Sequence, residues 1–360
     1  MLKVLVLVTS YPSDKSHDLM YVHVRNKYYE KHDINVTVLN FSAKEDYVYE
    51  DIKVITLNTY KTGNYSFDVL ISHASNIRNH YRFISKYDDK FKKIIFFYHG
   101  HEIQKINETY PKPYSWVRES KIKRMIQDVY DIFKLKMWRK KIKKLIYKSQ
   151  LVFVSNWLYY RFLYYVHINP KLLENNVHII NNSIGEVFEK ESFNYKCEKK
   201  YDFITIRGSA LDKSEHAIDV VNNLALCNKK MRFLIIGNGH FYDNVVKPDN
   251  VFFINGYLKH NEMIEYLNNS RCALLPTRHD SQGVMACELA TYGIPTITSD
   301  IDVCHEIFDS FSNVALINNN EQVDLEKILI DLEKKLPYQK NKMYFACNTI
   351  KKEVNLIKNG

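Results

Sequence analysis

The chain has 360 residues, 46% of them hydrophobic and 26% charged, with 51 Lys and Arg against 41 Asp and Glu. These values exclude a disordered chain, a collagen-like repeat and a small disulfide-stapled domain, and at roughly 150 residues per domain they predict two domains. The net charge of +10 suits an anionic partner: a phosphate-bearing ligand, an acidic membrane surface or nucleic acid.

The apolar start, Met1–Leu7, meets Thr9, Ser10, Tyr11 and Pro12 at once and lacks a basic lead, unlike a signal peptide. Runs at Val4–Val8, Asn35–Leu39, Val54–Leu57, Val69–Ser72, Ile94–Tyr98, Leu151–Val154 and Val177–Ile180 predict strands. They are apolar on successive residues, as parallel strands covered on both faces require. Helix-period segments lie between them, among them Tyr21–Lys31 and Arg118–Lys148. A polar stretch without period, Glu189–Lys200, follows Phe188. The strand rhythm then restarts at Asp202–Ile206, Phe233–Ile236, Val251–Ile254, Ala273–Leu275, Thr296–Thr298 and Val314–Ile317. Two β/α halves around one connector predict an α/β protein of two facing, doubly wound Rossmann-like domains, residues 1–188 and 189–340. The last segment, Leu325–Ile357, reads as helical with charges on one side. Its end, from about residue 340 to residue 360, either closes the second domain or packs back on the first. Six cysteines fall singly with no C-x-x-C pair, so neither a zinc site nor a disulfide framework is signalled, and a reducing cytosol is the simplest setting. No apolar run approaches the ~18 residues of a spanning helix.

Ligands of open parallel sheets bind outside the carboxyl ends of the strands. That rule selects His99–Glu102, Arg207–Lys213, Gly237–Gly239, Gly256–Leu258 and Arg278–Val284. The fullest pattern is in the last. A strand ends near Leu275, a polar loop carries Asp280 to Gly283, and a helix runs from about Val284 to a Gly293 stop before Pro295. Free N–H groups at that helix start, with Gly283 allowing close approach, suit a phosphate. Glu288, one turn in, suits two vicinal hydroxyls of a sugar or ribose. In the competing reading Asp280 is a cap and Glu288 a surface residue.

This acid-x7-Glu pattern before a helix ending Gly-x-Pro resembles the E-x7-E signature of the retaining GT-B glycosyltransferases of the GT4 family. Other segments agree in order. Val177-His-Ile-Ile-Asn-Asn-Ser-Ile-Gly-Glu-Val-Phe188 resembles the family's run into the linker. Leu234-Ile-Ile-Gly-Asn-Gly239 and Val251-Phe-Phe-Ile-Asn-Gly-Tyr-Leu258 resemble its glycine turns, and Phe97-Tyr-His-Gly-His-Glu-Ile103 its His-Gly-x-Asp loop. The resemblance implies a GT-B fold and transfer of a sugar from a nucleotide-diphosphate donor, most simply a UDP-sugar, to a hydroxyl. The acceptor it implies is a lipid-linked glycan in surface polysaccharide synthesis (capsule, O-antigen or similar).

It also implies site roles. Arg207 and Lys213 would hold the diphosphate and Glu288 the ribose. Asp280 would face the transferred sugar, and Gln282, Gly283 and Val284 would reach its hydroxyls and the distal phosphate. Gly237, Gly256 and Leu258 would border the nucleotide. His99 would lie near the sugar, with Glu102 orienting its neighbours. No metal or other cofactor is implied, and Asp300-Ile-Asp302 follows the wrong element for a metal clamp. The chain departs from the pattern at Asp280, one methylene shorter than Glu, and at Ser183 and Gly185, where the family has Gly and Asp. It also departs in the loop Thr9–Asp18, which has no Gly pair.

The segment from Val117 to Lys148 holds 12 bases against 3 acids. Its apolar residues Ile122, Met125, Ile126, Val129, Phe133, Trp138, Ile142, Leu145 and Ile146 recur at helical spacing. The expectation is a stripe packed on the first sheet, with bases facing an anionic membrane at its inner, cytoplasmic side and Trp116 and Trp138 nearby. No RNA- or DNA-binding motif accompanies these bases, so nucleic acid is not an expected partner. The alternatives within the same reading are a sugar-nucleotide epimerase and a non-catalytic sugar-nucleotide or membrane-binding subunit.

Overall fold

The computed structural model describes residues 1–13, 19–207 and 211–359. Residues 14–18 of the N-terminal loop, 208–210 of the Arg207–Lys213 segment and residue 360 lie outside them. By its internal contacts the chain forms two compact units. One comprises residues 1–106, 126–183 and 346–359, the other residues 107–125 and 184–345.

Among the described residues the first unit has eight strands: β1 (Leu2–Val8), β2 (Ile34–Asn40), β3 (Tyr47–Tyr49), β4 (Ile52–Ile55), β5 (Val69–His73), β6 (Lys93–Tyr98), β7 (Ser149–Phe153) and β8 (Val177–Ile179). They pair in the order β3-β4-β2-β1-β5-β6-β7-β8, all parallel except β3 with β4. Val4 lies between Val36 and Val69 in register, and β1 is fully buried from Val4 to Val8. Burial on both sheet faces is why these strands are apolar without alternation. The β3 strand was not expected. It is a three-residue edge strand, and its turn, Glu50-Asp51, adopts positive φ at both residues without the Asn-Gly signature of such turns.

The second unit has six strands: β9 (Tyr201–Ile206), β10 (Phe233–Ile236), β11 (Val251–Ile254), β12 (Ser270–Leu275), β13 (Thr296–Ser299) and β14 (Val314–Ile317). Their order is β11-β10-β9-β12-β13-β14, with every pairing parallel. Both sheets reverse direction of strand order beside their first strand, which places the loops after β1 and β5 and after β9 and β12 at switch points.

Three expectations change. Residues 107–125, read as part of the first domain, belong to the second unit, and the break near 188 falls between 183 and 184. The Tyr114 hydroxyl donates to Asp219 Oδ1 at 2.8 Å, and the Tyr114 and Trp116 rings stack at 4.7 Å with Phe241 edge-on to both. The segment Leu325–Ile357 is not one helix but two, Leu325–Glu333 and Ile350–Asn359, with Pro337 between them. The second of these packs in the first unit. Fully buried Arg25 donates through Nε to Glu353 Oε1 at 3.0 Å and through Nη2 to Asn182 Oδ1 at 2.7 Å, while the Tyr29 hydroxyl also donates to Glu353.

The third change concerns the basic helix, Lys121–Leu145. Its buried face is Asp131, Leu135, Trp138, Ile142 and Leu145, spaced four and three apart. The other apolar set points outward: Ile122, Met125 and Ile126 are exposed, as are Val129 (65%) and Phe133 (55%). Two apolar stripes share the helical period here, and only one meets the sheet. Two bases expected outside are buried instead. Lys134 donates to Asp131 Oδ1 at 2.6 Å and to the carbonyls of His101 and Gln104 at 3.0 and 2.8 Å. Lys141 lies 3.8 Å from Asp88 and over the Tyr81 ring. Trp138 is in the core and Trp116 is stacked in the second unit, so neither serves as a surface anchor. Among the described residues no helix is long and apolar enough to cross a membrane.

Candidate active site

In the second unit, the loop after β12 carries Asp280 and leads through Gly283 into the helix Val284–Tyr292. Gly283 enters the helix at φ +74° and Gly293 leaves it at φ +94°, conformations that favour glycine at both ends. Asp280 Oδ1 accepts hydrogen bonds from the amides of Ser281 (2.7 Å), Gln282 (3.1 Å) and Gly283 (2.8 Å). It therefore caps its own loop, whereas the helix itself starts at Gly283 and, among the described residues, has no side-chain cap there. Val284, Met285 and Ala286 of that turn line a cavity of about 130 Å³ together with Arg207, His216, Asp280, Gln282 and Gly283. A helix start of this kind, with its amides and dipole, favours a bound anion.

Arg207 ends β9 and is locked by its surroundings. Its Nη2 donates to the carbonyls of His216 (3.1 Å) and Pro276 (2.5 Å). Burial pushes its guanidinium down to about 10, with Asp280 opposing, so it stays charged at neutral pH. Among the described residues its buried Nε has no hydrogen-bond partner, so that N–H could serve a ligand. Lys213, expected beside it, is exposed and does not line the cavity. The residue that does is His216, three positions on in the short turn Ser214–His216. Burial and then the charges of Arg207 and Lys213 push its imidazole down to about 3. His216 was overlooked because the resemblance stops at Lys213, although three residues suffice for one tight turn.

Glu288 is buried, which removes the surface reading. Its Oε1 accepts the Gly185 amide at 3.0 Å and lies 3.5 Å from His260 Nε2. Burial raises its carboxyl, with His260 and the Gly185 amide opposing. A Cβ at residue 185 would fall on the His260 ring, a physical reason for glycine where the family pattern has Asp. Gly237 sits behind Arg207, and a Cβ there would come within 3.0 Å of the Arg207 carbonyl. The Gly256 amide faces the Gly237 carbonyl at 3.4 Å, and Leu258 is half-buried; Gly237, Gly256 and Leu258 lie outside the cavity lining.

His99 belongs to the first unit, just after β6. Glu102 accepts from the amides of His99 and Gly100, so the acid does fix this loop. His99 Nε2 lies 3.1 Å from His73 Nδ1, and the Tyr21 ring packs on it at 4.8 Å. Burial holds both imidazoles well below their ordinary range, and the Arg25 charge lowers each further. Among the described residues no three His, Cys, Asp or Glu side chains are grouped to hold a metal ion.

Comparison with solved structures defines the fold. The chain superposes on sucrose-phosphate synthase from Thermosynechococcus elongatus with a TM-score of 0.67 at 9% identity, covering 99% of this chain and 94% of that one. It superposes on the Anabaena protein HepE, solved in complex with UDP and glucose, with a TM-score of 0.63 at 11% identity, covering 99% and 95%. The fold is that of the GT-B glycosyltransferases, with two parallel-sheet α/β domains. Residues 188–348 match the family model for glycosyl transferases group 1. A relative, the O-antigen biosynthesis glycosyltransferase WclY of Escherichia coli, is 27% identical over 201 residues, 51% of this chain and 54% of the relative. The chain spans about half the length of the curated relatives it matches.

Proposed function

We propose that the protein is a retaining, GT4-like glycosyltransferase that moves a sugar from a nucleotide-diphosphate donor, most simply a UDP-sugar, to a hydroxyl of a lipid-linked glycan in surface polysaccharide synthesis. It would act in the cytoplasm, where such an acceptor meets the inner face of the membrane. The observation that carries the reading is one cavity of the second unit, where an uncapped helix start meets the buried guanidinium of Arg207. The relative WclY supports the polysaccharide setting, and the UDP and glucose of HepE support the donor class.

The chemistry follows from charge. When the bond from the sugar's anomeric carbon to the phosphate oxygen breaks, the leaving diphosphate gains negative charge. Arg207 and the first-turn amides of Val284–Ala286 are fixed in place to stabilise that charge without reorganising. The acceptor oxygen forms the new bond on the same face, and its proton passes to the departing phosphate oxygen. Asp280 holds the loop amides in position. Glu288, with one oxygen on Gly185, has the other available for the ribose hydroxyls.

The test is incubation of the full chain with a panel of nucleotide sugars, with and without a membrane lipid extract. Release of free nucleoside diphosphate, increased by the extract, is expected. An altered sugar still attached to its nucleotide would indicate an epimerase. Thermal stabilisation by a donor with no turnover under any condition would indicate a binding subunit.

A further inference from the structure

We infer that His260 is a positioning residue of the donor site: it holds the Glu288 carboxylate with one oxygen committed to the protein, so that the other is left for the ribose. This rests on Glu288 being the ribose ligand, and it goes beyond that role by naming what orients the acid.

His260 opens the helix His260–Asn268. The Lys259 amide just before it donates to Glu262 Oε2 at 2.6 Å, a capping contact that fixes where the helix begins. The His260 ring then meets three neighbours, all in the second unit. Its Nε2 lies 3.5 Å from Glu288 Oε1, the same oxygen that accepts the Gly185 amide at 3.0 Å. The Phe188 ring stands edge-on to it, with centroids 5.0 Å apart. Its Nδ1 and Cε1 lie against Gly185, where an added Cβ would fall only 2.4 and 2.5 Å from them. Gly185 itself has φ −66° and ψ 144°, extended backbone that any residue adopts. The conformation of the chain therefore does not ask for glycine at 185, but the ring of His260 does. A glycine that makes room for a ring, and a ring that faces a buried carboxylate, form one arrangement.

The last torsion of a glutamate is broad, so its two oxygens exchange places unless their surroundings differ. Here the Gly185 amide binds Oε1, and His260, with its proton on Nε2, faces that same oxygen. Both donors favour one setting of the carboxylate, and in that setting Oε2 is the oxygen left to accept ribose hydroxyls. The His260 side chain is 41% exposed, so replacing it removes the contact to Glu288 without emptying a core position.

The test is titration calorimetry of the full chain with UDP, GDP, ADP and CDP, each beside its deoxyribose counterpart. The parent is compared with His260→Ala, His260→Gln, Gly185→Ala and the double variant Gly185→Ala with His260→Ala, and melting curves check that each folds. The parent is expected to prefer the ribose form of its nucleotide by about tenfold or more. His260→Ala should shrink that preference to about threefold or less, with affinity for the deoxyribose form unchanged. His260→Gln, which keeps an N–H donor, should restore part of it. Gly185→Ala alone should lower the melting temperature, and the double variant should regain it without regaining the ribose preference, which separates the fit of the ring from its hold on Glu288. A folded His260→Ala chain with the full preference of the parent would overturn the inference while leaving Glu288 as the ribose ligand. A parent that binds both forms equally, or neither, would remove Glu288 from the ribose and the inference with it.

Discussion

The loop after β12 in the second unit and the loop after β6 in the first use one device for different ends. In each, a carboxylate is turned inward onto backbone amides: Asp280 on three, Glu102 on two. What remains around them differs. Beside Asp280 stand a charged, buried guanidinium and an uncapped helix start. Beside Glu102 stand two imidazoles held neutral, in contact with each other. One loop is set beside a charged group and open helix amides, the other beside neutral rings. The acid in each is structural support for its own loop.

The comparison breaks most directly at Arg207. Arg207→Ala should lower kcat by about 100- to 1,000-fold, roughly 3–4 kcal/mol of barrier, with a smaller loss of nucleotide binding. Steady-state kinetics beside calorimetry would show this, and equal losses in both would remove transition-state stabilisation from its role.

Acid sharpens the contrast between charged and neutral groups. His80 and His216 have folded values pushed to about 3, and His73 and His99 are also depressed. The unfolded chain binds these protons more readily, so stability is full above the ordinary 6.5 and is lost as pH falls toward the folded values. For His80 and His216 the loss by pH 5 should be about 2 kcal/mol each. Glu288, raised by burial, opposes the trend but is one group against four. Denaturant midpoints that stay level from pH 7 to pH 5 would show these rings to be charged in the native state.

Glu102→Ala should cost roughly 1–3 kcal/mol of stability by leaving the His99 and Gly100 amides without their acceptor. Donor affinity, read by titration calorimetry, should hardly move, because the anion site is in the other unit. The smallest effect belongs to Lys213→Ala, at less than about tenfold in kcat, since an exposed cation outside the cavity is screened by solvent. A loss as large as that of Arg207→Ala would show that Lys213 swings onto the donor.

Much of this was legible along the chain, for physical reasons. Doubly covered strands must be apolar on both faces, so thirteen of the described strands announce themselves as runs. Gly283 and Gly293 mark both ends of the donor-loop helix because each takes a positive φ. What stayed hidden depends on long-range partners. Nothing local tells that Glu288 holds the amide of Gly185, 103 residues earlier, or that Lys134 is drawn inward by the carbonyls of His101 and Gln104. Nor does period alone say which of two stripes on the basic helix faces the sheet. Sequence also favoured Lys213 over His216, since a cation is an obvious phosphate ligand and a neutral ring is not.

The pairing of Arg25 with Glu353 carries a consequence for biosynthesis. The two residues are 328 positions apart, and the whole of the second sheet is encoded between them. A ribosome therefore delivers the guanidinium before the second sheet and its counterion after it. Until then the first unit lacks the partner for a charge that its finished interior fully encloses, and an unpartnered buried charge is strongly destabilising. The N-terminal half must wait, incompletely consolidated, while the C-terminal half is made, and the chain cannot mature strictly from front to back.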